Sequence, residues 1–411
     1  MNVVRAIAAP AGVDDREDRR NALILATAAA FSNAVPPVLF SLGGLAGMYL
    51  LGPDKSLATV PLSAFTVGVA LGAFPAAMLM RAVGRRLGFM LGALVGVVGA
   101  VGCGLAVLEG TFAGFVAAAC ATGIASAFIQ QYRFAAADSG SRAFQAKAIA
   151  WVLSGGIAAA IIGPQTAILT RDLLAPIPFA GAFFAAAGLA VAGFIVLAFL
   201  SGATRLPPQA VSRSGGRSLL EIARQPRFIV AVLCAIGSYS MMTLVMTAAP
   251  LAMVECGLGE DNAALGIQWH VLAMFGPSFF SGRLIARFGA ERVIAAGLVL
   301  LAGCATVALS GIDVAHFWLA IILLGLGWNF GFVGATTMVT STYRPEERAH
   351  VQGLNDLLVF GVVALASFSS GKLFSTVGWT WINLVVFPIV LLCSLSLASL
   401  FLITRRTATR P

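Results

Sequence analysis

Apolar residues in this chain gather into long unbroken runs, and short clusters of charged and turn-forming residues separate them. Twelve runs are readable, at about 23–51, 57–80, 87–108, 111–131, 145–170, 177–201, 228–254, 262–282, 292–311, 315–340, 351–371 and 380–404. Most reach the roughly 20 residues a helix needs to cross a bilayer. They do not alternate in ten-residue segments as barrel strands do, so the pattern predicts helices. Composition agrees: 10% of the residues are charged and 59% hydrophobic, against roughly 25% charged in soluble domains. The expectation is an all-α, multi-pass membrane protein.

The net charge of +9 would suit nucleic acid if it were spread over one surface. Threaded through twelve spans from an inside N-terminus, every Lys and Arg except Lys55, Arg171 and Lys372 falls on the inner side. That is the positive-inside bias, and it predicts both termini in the cytoplasm and no nucleic-acid partner. The residues before the first span end in "DDREDRR" and show no cleavable signal peptide. The six cysteines have no CxxC spacing and lie in or beside apolar runs, which argues against a disulfide framework.

A repeat organises the spans. The basic turn "MRAVGRRLGF" around Gly84 returns as "ARFGAERVI" around Gly289, 205 residues later. The segments expected are a tail at 1–22, a six-helix half at 23–201, a central loop at 202–227, a second half at 228–404 and a tail at 405–411. With these features the chain resembles the major facilitator superfamily over its whole length, which implies two pseudo-symmetric six-helix halves. Gly84, Arg85 and Arg86 match that superfamily's signature turn, whereas Arg81 stands where an acid is usual. "SGGIAAAIIGPQTA" (Ser154 to Ala167) resembles the span-five signature of drug antiporters, which keeps efflux open as a further alternative. No GxxxxGK[ST] loop is present, so the expectation is a transporter and not an ATP-driven machine or an enzyme, with no catalytic residue and no cofactor.

Polar residues inside the runs are the candidates for pathway and gate. They are Asn33 beside Pro36 and Pro37, then Gln131, Arg133 and Asp138 at the end of span four, Gln268, Trp328 and Asn329, and Asp356 in span eleven. Arg133 and Asp138 could form a gating pair, and Asp356 could pair with Arg344 or Arg348.

The densest chemistry lies in spans seven and eight. Met242 and Met246, like His270 and Met274, are four residues apart and stack on one helix face. At about 1.5 Å per residue the two pairs overlap in depth, and thioethers with imidazole suit copper(I). Both pairs, with Cys234 and Cys256 flanking the methionines, resemble the CcoA-type copper importers of bacterial cytochrome oxidase assembly. The resemblance implies a metal set of Met242, Met246, His270 and Met274, copper as substrate, thiol chemistry at the two cysteines and thiol-redox or copper-chaperone partners in the bacterial inner membrane. Twenty-two residues apart on one helix, Cys234 and Cys256 could not bridge each other. "QWHVLAMFGPSFFSG" and "RPEERAHVQGLNDLLVFG" resemble the wider clade, which includes riboflavin importers. That alternative implies stacking and hydrogen bonding by Trp269, Trp328, Asn329, Tyr239 and Gln268.

Overall fold

The computed structural model describes residues 16–53, 56–137, 142–201 and 216–408, and the regular structure in them is helical. Among the described residues, ten segments are long and apolar enough to cross a membrane. They resolve into twelve spans for two local reasons. Span eight is cut into Glu260–Phe275 and Ser278–Phe288 at Gly276 and Pro277, so neither piece is long enough alone. Spans eleven and twelve run on as one segment through a non-helical turn at Gly378.

Span one is broken too, into Arg16–Ser32 and Val35–Leu51. Pro36 and Pro37 have no N–H, so the carbonyls of Ser32 and Asn33 lose the donors a helix would offer them. The remaining spans follow as Val60–Val83, Arg85–Leu108, Phe112–Ile129, Arg142–Thr170, Ala180–Ala198, Pro226–Glu255, Ala290–Ser310 and Val314–Thr340, then 348–377 and a last span that includes Val386–Ala408. Span five stays one helix across Pro164. Its glycines serve close approach: Gly155 rests on the Ala26 carbonyl, and Gly163 lies against Ala34 and Pro37 at the break in span one.

The repeat is visible in the packing. Spans one and five, one and six, two and four, three and four, and three and six are neighbours, and so are seven and eleven, seven and twelve, eight and ten, nine and ten, and nine and twelve. Gly84 and Gly289 both stand at positive φ, 83° and 86°, where a side chain would be strained. The 205-residue offset therefore marks two copies of one turn geometry.

The halves meet at one end. Span one touches spans seven and eight chiefly through Val35–Leu51, and span five meets span eight through Glu260–Phe275. Ser63 of span two donates to Ser367 of span eleven at 3.1 Å, and Gln165 of span five to Gln268 of span eight at 2.9 Å. Arg171, just past span five, reaches Asp261 at 2.6 Å and Glu260 at 3.4 Å. The opposite end carries the span ten to eleven turn and Arg217. Among the described residues, the hydrogen bonds and ion pairs seen there join groups within one half or tie the central loop to the second half. The cross-half bonds named here close the molecule at the Arg171 end.

Candidate functional site

Spans seven and eight, which carry the predicted chemistry, are neighbours in the second half. Met253 Sδ of span seven packs on Gly266 of span eight. Counting away from that contact at about 1.5 Å per residue puts Met246 and Met274 nearly level, with His270 about a turn nearer the Arg171 end and Met242 about a turn further from it. All four are buried, at 2%, 5%, 0% and 8% exposure for Met242, Met246, His270 and Met274. None points into lipid, and the three methionines share one continuous hydrophobic core.

His270 is held by its ring. Nδ1 lies 2.8 Å from the Ile321 carbonyl of span ten. A carbonyl only accepts, so Nδ1 is the protonated nitrogen and Nε2 keeps a lone pair. That Nε2 is buried and has no hydrogen-bond partner. Among the described residues no group of three His, Cys, Asp or Glu side chains could hold a metal, so a copper site here would rest on one imidazole nitrogen and thioethers.

Asn329 does something the sequence did not suggest. It is fully buried and does not face an open passage. Its Nδ2 donates to the Met274 carbonyl at 2.7 Å and to Ser278 Oγ at 2.9 Å, across the break in span eight. Pro277 interrupts the helical ladder there, and the Asn329 amide takes up a carbonyl that the ladder leaves free. Gly325, a turn earlier, lets span ten approach the His270 carbonyl and the Met274 N–H.

Aromatic side chains form a second feature beside the methionines. Trp328 and Phe332, four residues apart on span ten, stack with centroids 5.4 Å apart and planes 15° apart. Tyr239 of span seven meets Trp328, Phe332 and Phe360 edge-on at 5.4, 5.0 and 5.7 Å. Phe275 of span eight closes on Trp328 at 6.5 Å. Sequence reasoning named Tyr239 and Trp328 but missed the three phenylalanines. Trp269 stands apart from the cluster at 41% exposure, because its neighbour His270 takes the inward face of span eight.

The other predicted residues scatter. Gln268 is committed to Gln165 in the closed end, and Asn33 sits half-buried at the break in span one. Gln131 caps the turn after span four, accepting from the Ala135 N–H at 3.0 Å, and Arg133 is exposed next to it. Asp138, its expected gating partner, lies outside the described residues. Asp356 does not reach Arg344 or Arg348; it accepts from Asn355 Nδ2 at 3.0 Å, while Arg348 turns to Gln352.

The cysteines pair differently from the flanking pattern in the sequence. Span seven is unbroken from Pro226 to Glu255, which keeps Cys234 and Cys256 at opposite ends. On span twelve, Cys393 instead comes up beside Cys234, its Sγ donating to the Leu233 carbonyl at 3.6 Å. Gly237, one turn on, leaves room for the Cys393 sulfur. Cys256 is exposed in the turn after span seven, and burial followed by the charge of Glu255 raises its thiol above the ordinary range. That environment disfavours a reactive thiolate.

At the Arg217 end, Glu347 is the anchor of a clamp. Its carboxylate accepts from Arg217 Nη2 at 2.8 Å, from the Arg217 backbone N–H at 2.7 Å and from the Arg344 N–H at 2.8 Å. The Arg217 side-chain hydrogen bond, then the Arg344 N–H, hold this carboxyl down to about 2.

A bundle of twelve spans in two matching halves, closed around a passage at one end, is the architecture of a secondary transporter. The chain belongs to the Major Facilitator Superfamily, whose profile matches residues 22–277 and 244–411. It is 50% identical over 375 residues to the riboflavin transporter RfnT of Brucella anthropi, covering 91% of this chain and 94% of that protein. It is 28% identical to the uncharacterized MFS-type transporter YddS of Bacillus subtilis, over 88% of this chain and 87% of that one. Among solved structures, the nucleoside transporter NupG superposes with a TM-score of 0.70 at 14% identity, covering 93% of this chain and 99% of that one. The human organic anion transporter TETRAN gives 0.63 at 15%, covering 92% and 99%. The last two show the fold alone. These relatives include a flavin transporter and no copper importer, which moves the weight from the copper expectation to its alternative.

Proposed function

We propose that the chain imports riboflavin, or a flavin close to it, across the bacterial cytoplasmic membrane by alternating access. The observation that carries this is the 50% identity to a riboflavin transporter along nearly the full length of both chains. On the positive-inside bias the Arg171 end would face outward and the Arg217 end the cytoplasm. Import would cycle the two halves, opening the Arg171 end to take up substrate and the Arg217 end to release it. The test is uptake of radiolabelled riboflavin by a bacterial riboflavin auxotroph expressing the chain, which should accumulate label and grow at limiting riboflavin. Cells that neither accumulate label nor grow would refute it.

Copper(I) uptake is kept as a second reading for one specific reason. His270 Nε2 offers a buried, unshared lone pair about a turn from the level of two thioethers, and soft neutral ligands of this kind suit that ion. Copper accumulation that is lost in His270→Ala while riboflavin uptake persists would favour it, and unchanged copper accumulation would remove it.

A further inference from the structure

We infer that the flavin ring system docks on the aromatic platform of Trp328, Phe332, Tyr239 and Phe360. This rests on the reading of the chain as a flavin carrier and adds where the substrate sits and what it must look like.

Depth is the first argument. Counted at about 1.5 Å per residue from the Arg217 end, Phe332 lies roughly 12 Å in, Trp328 and Phe360 roughly 18 Å and Tyr239 roughly 20 Å. In a core of about 30 Å that brackets the midplane, the level at which carriers of this architecture bind substrate between their halves.

Incomplete burial is the second. Tyr239, Phe332 and Phe360 remain partly exposed, and Thr336, a turn beyond Phe332 on span ten, is exposed. The cross-half bonds described above lie toward the Arg171 end, away from the platform. The third argument is an unused donor: Trp328 is 8% exposed, yet its indole N–H has no partner. Such a donor costs about 1–3 kcal/mol until something accepts from it.

Together these features select a ligand class. Flat π-faces favour a planar ring over a sugar or an alkyl chain, and the N–H calls for an acceptor on that ring's edge. None of the four residues carries a charge, so the platform offers no counter-charge to an anionic ring. A tricyclic flavin with ring carbonyls fits. A free pentose does not.

The test uses purified full-length protein in detergent with two probes, riboflavin and lumiflavin, which lacks the ribityl chain. Binding is read by quenching of flavin fluorescence and by the rise in thermal midpoint on adding ligand. Phe332→Leu and Tyr239→Leu should each weaken both probes about ten- to hundredfold, the range that loss of one aromatic stacking partner brings. Trp328→Phe keeps a ring and loses the donor, so it should weaken both about five- to tenfold. Because a variant could fail to fold, each must first match the wild-type thermal midpoint without ligand, and Tyr239→Phe, which keeps the ring, should bind as wild type. If wild type binds riboflavin and the leucine variants bind it equally well, the platform is overturned and the transport reading stands. If wild type fails to carry riboflavin yet binds lumiflavin with the predicted losses, the platform stands and the transport reading falls. Binding of neither probe overturns both.

Discussion

Arg171 should act as the latch of the closed end. It bonds Asp261 at 2.6 Å and Glu260 at 3.4 Å across the halves, and Asp172 at 3.0 Å within its own half. Only the first two depend on the conformational state, because Asp172 moves with Arg171. The partners are 32% to 55% exposed, so each pair contributes about 0.2–1 kcal/mol after screening by solvent and salt. Taken together, about 0.5–2 kcal/mol favours the closed end, and Arg171→Ala should raise the population open at that end roughly two- to thirtyfold. A reporter is built in: Ser63 and Ser367 meet behind the latch in a buried bond. In a background whose six native cysteines are replaced, Ser367→Cys should react with a membrane-impermeant maleimide faster in Arg171→Ala by that factor. High salt should raise the rate when Arg171 is present and leave it unchanged in the variant. Equal rates with and without Arg171 would refute the latch.

Two further perturbations probe the scaffold. Asn329→Ala leaves the Met274 carbonyl without its donor in the membrane interior, so the protein should lose about 1–3 kcal/mol of stability, read as a lower thermal midpoint in detergent; an unchanged midpoint would mean that span eight repairs its own break. For the Glu347 clamp, the folded carboxyl sits at about 2 against an ordinary 4.5. Its stabilisation is complete above about pH 4.5 and drains away as pH falls toward 2. Glu347→Gln should therefore lower the thermal midpoint at pH 7, with a gap to wild type that shrinks below pH 4.5; a gap as wide at pH 3 as at pH 7 would contradict this.

The spans were legible because a bilayer demands long apolar runs; where a run breaks was less so, since Pro36, Pro37 and Pro277 mark real breaks while Pro75, Pro164 and Pro250 stay inside helices. The paired turns at Gly84 and Gly289 were legible because only glycine tolerates their backbone, so both copies keep it. Spacing within one helix also gave the shared face of His270 and Met274 and of Met242 and Met246. What escaped lies between helices. Nothing in the spacing says that Cys234 meets Cys393, that Asn329 serves span eight or that Phe360 reaches Tyr239, because those contacts depend on how non-consecutive spans cross. Phe332 could have been found, since it stands four residues after Trp328 and so on the same face. The choice between copper and flavin escaped for a different reason: methionine is an adaptable packing residue, and its appearance at helical spacing is compatible with ligand and with core alike.

Transport by the purified chain alone tests the central claim most directly. Reconstituted into liposomes with radiolabelled riboflavin outside, it should give saturable, time-dependent accumulation that excess unlabelled riboflavin suppresses and excess ribose does not. Accumulation no greater than in protein-free liposomes, from a preparation whose thermal midpoint shows it folded, would contradict the account.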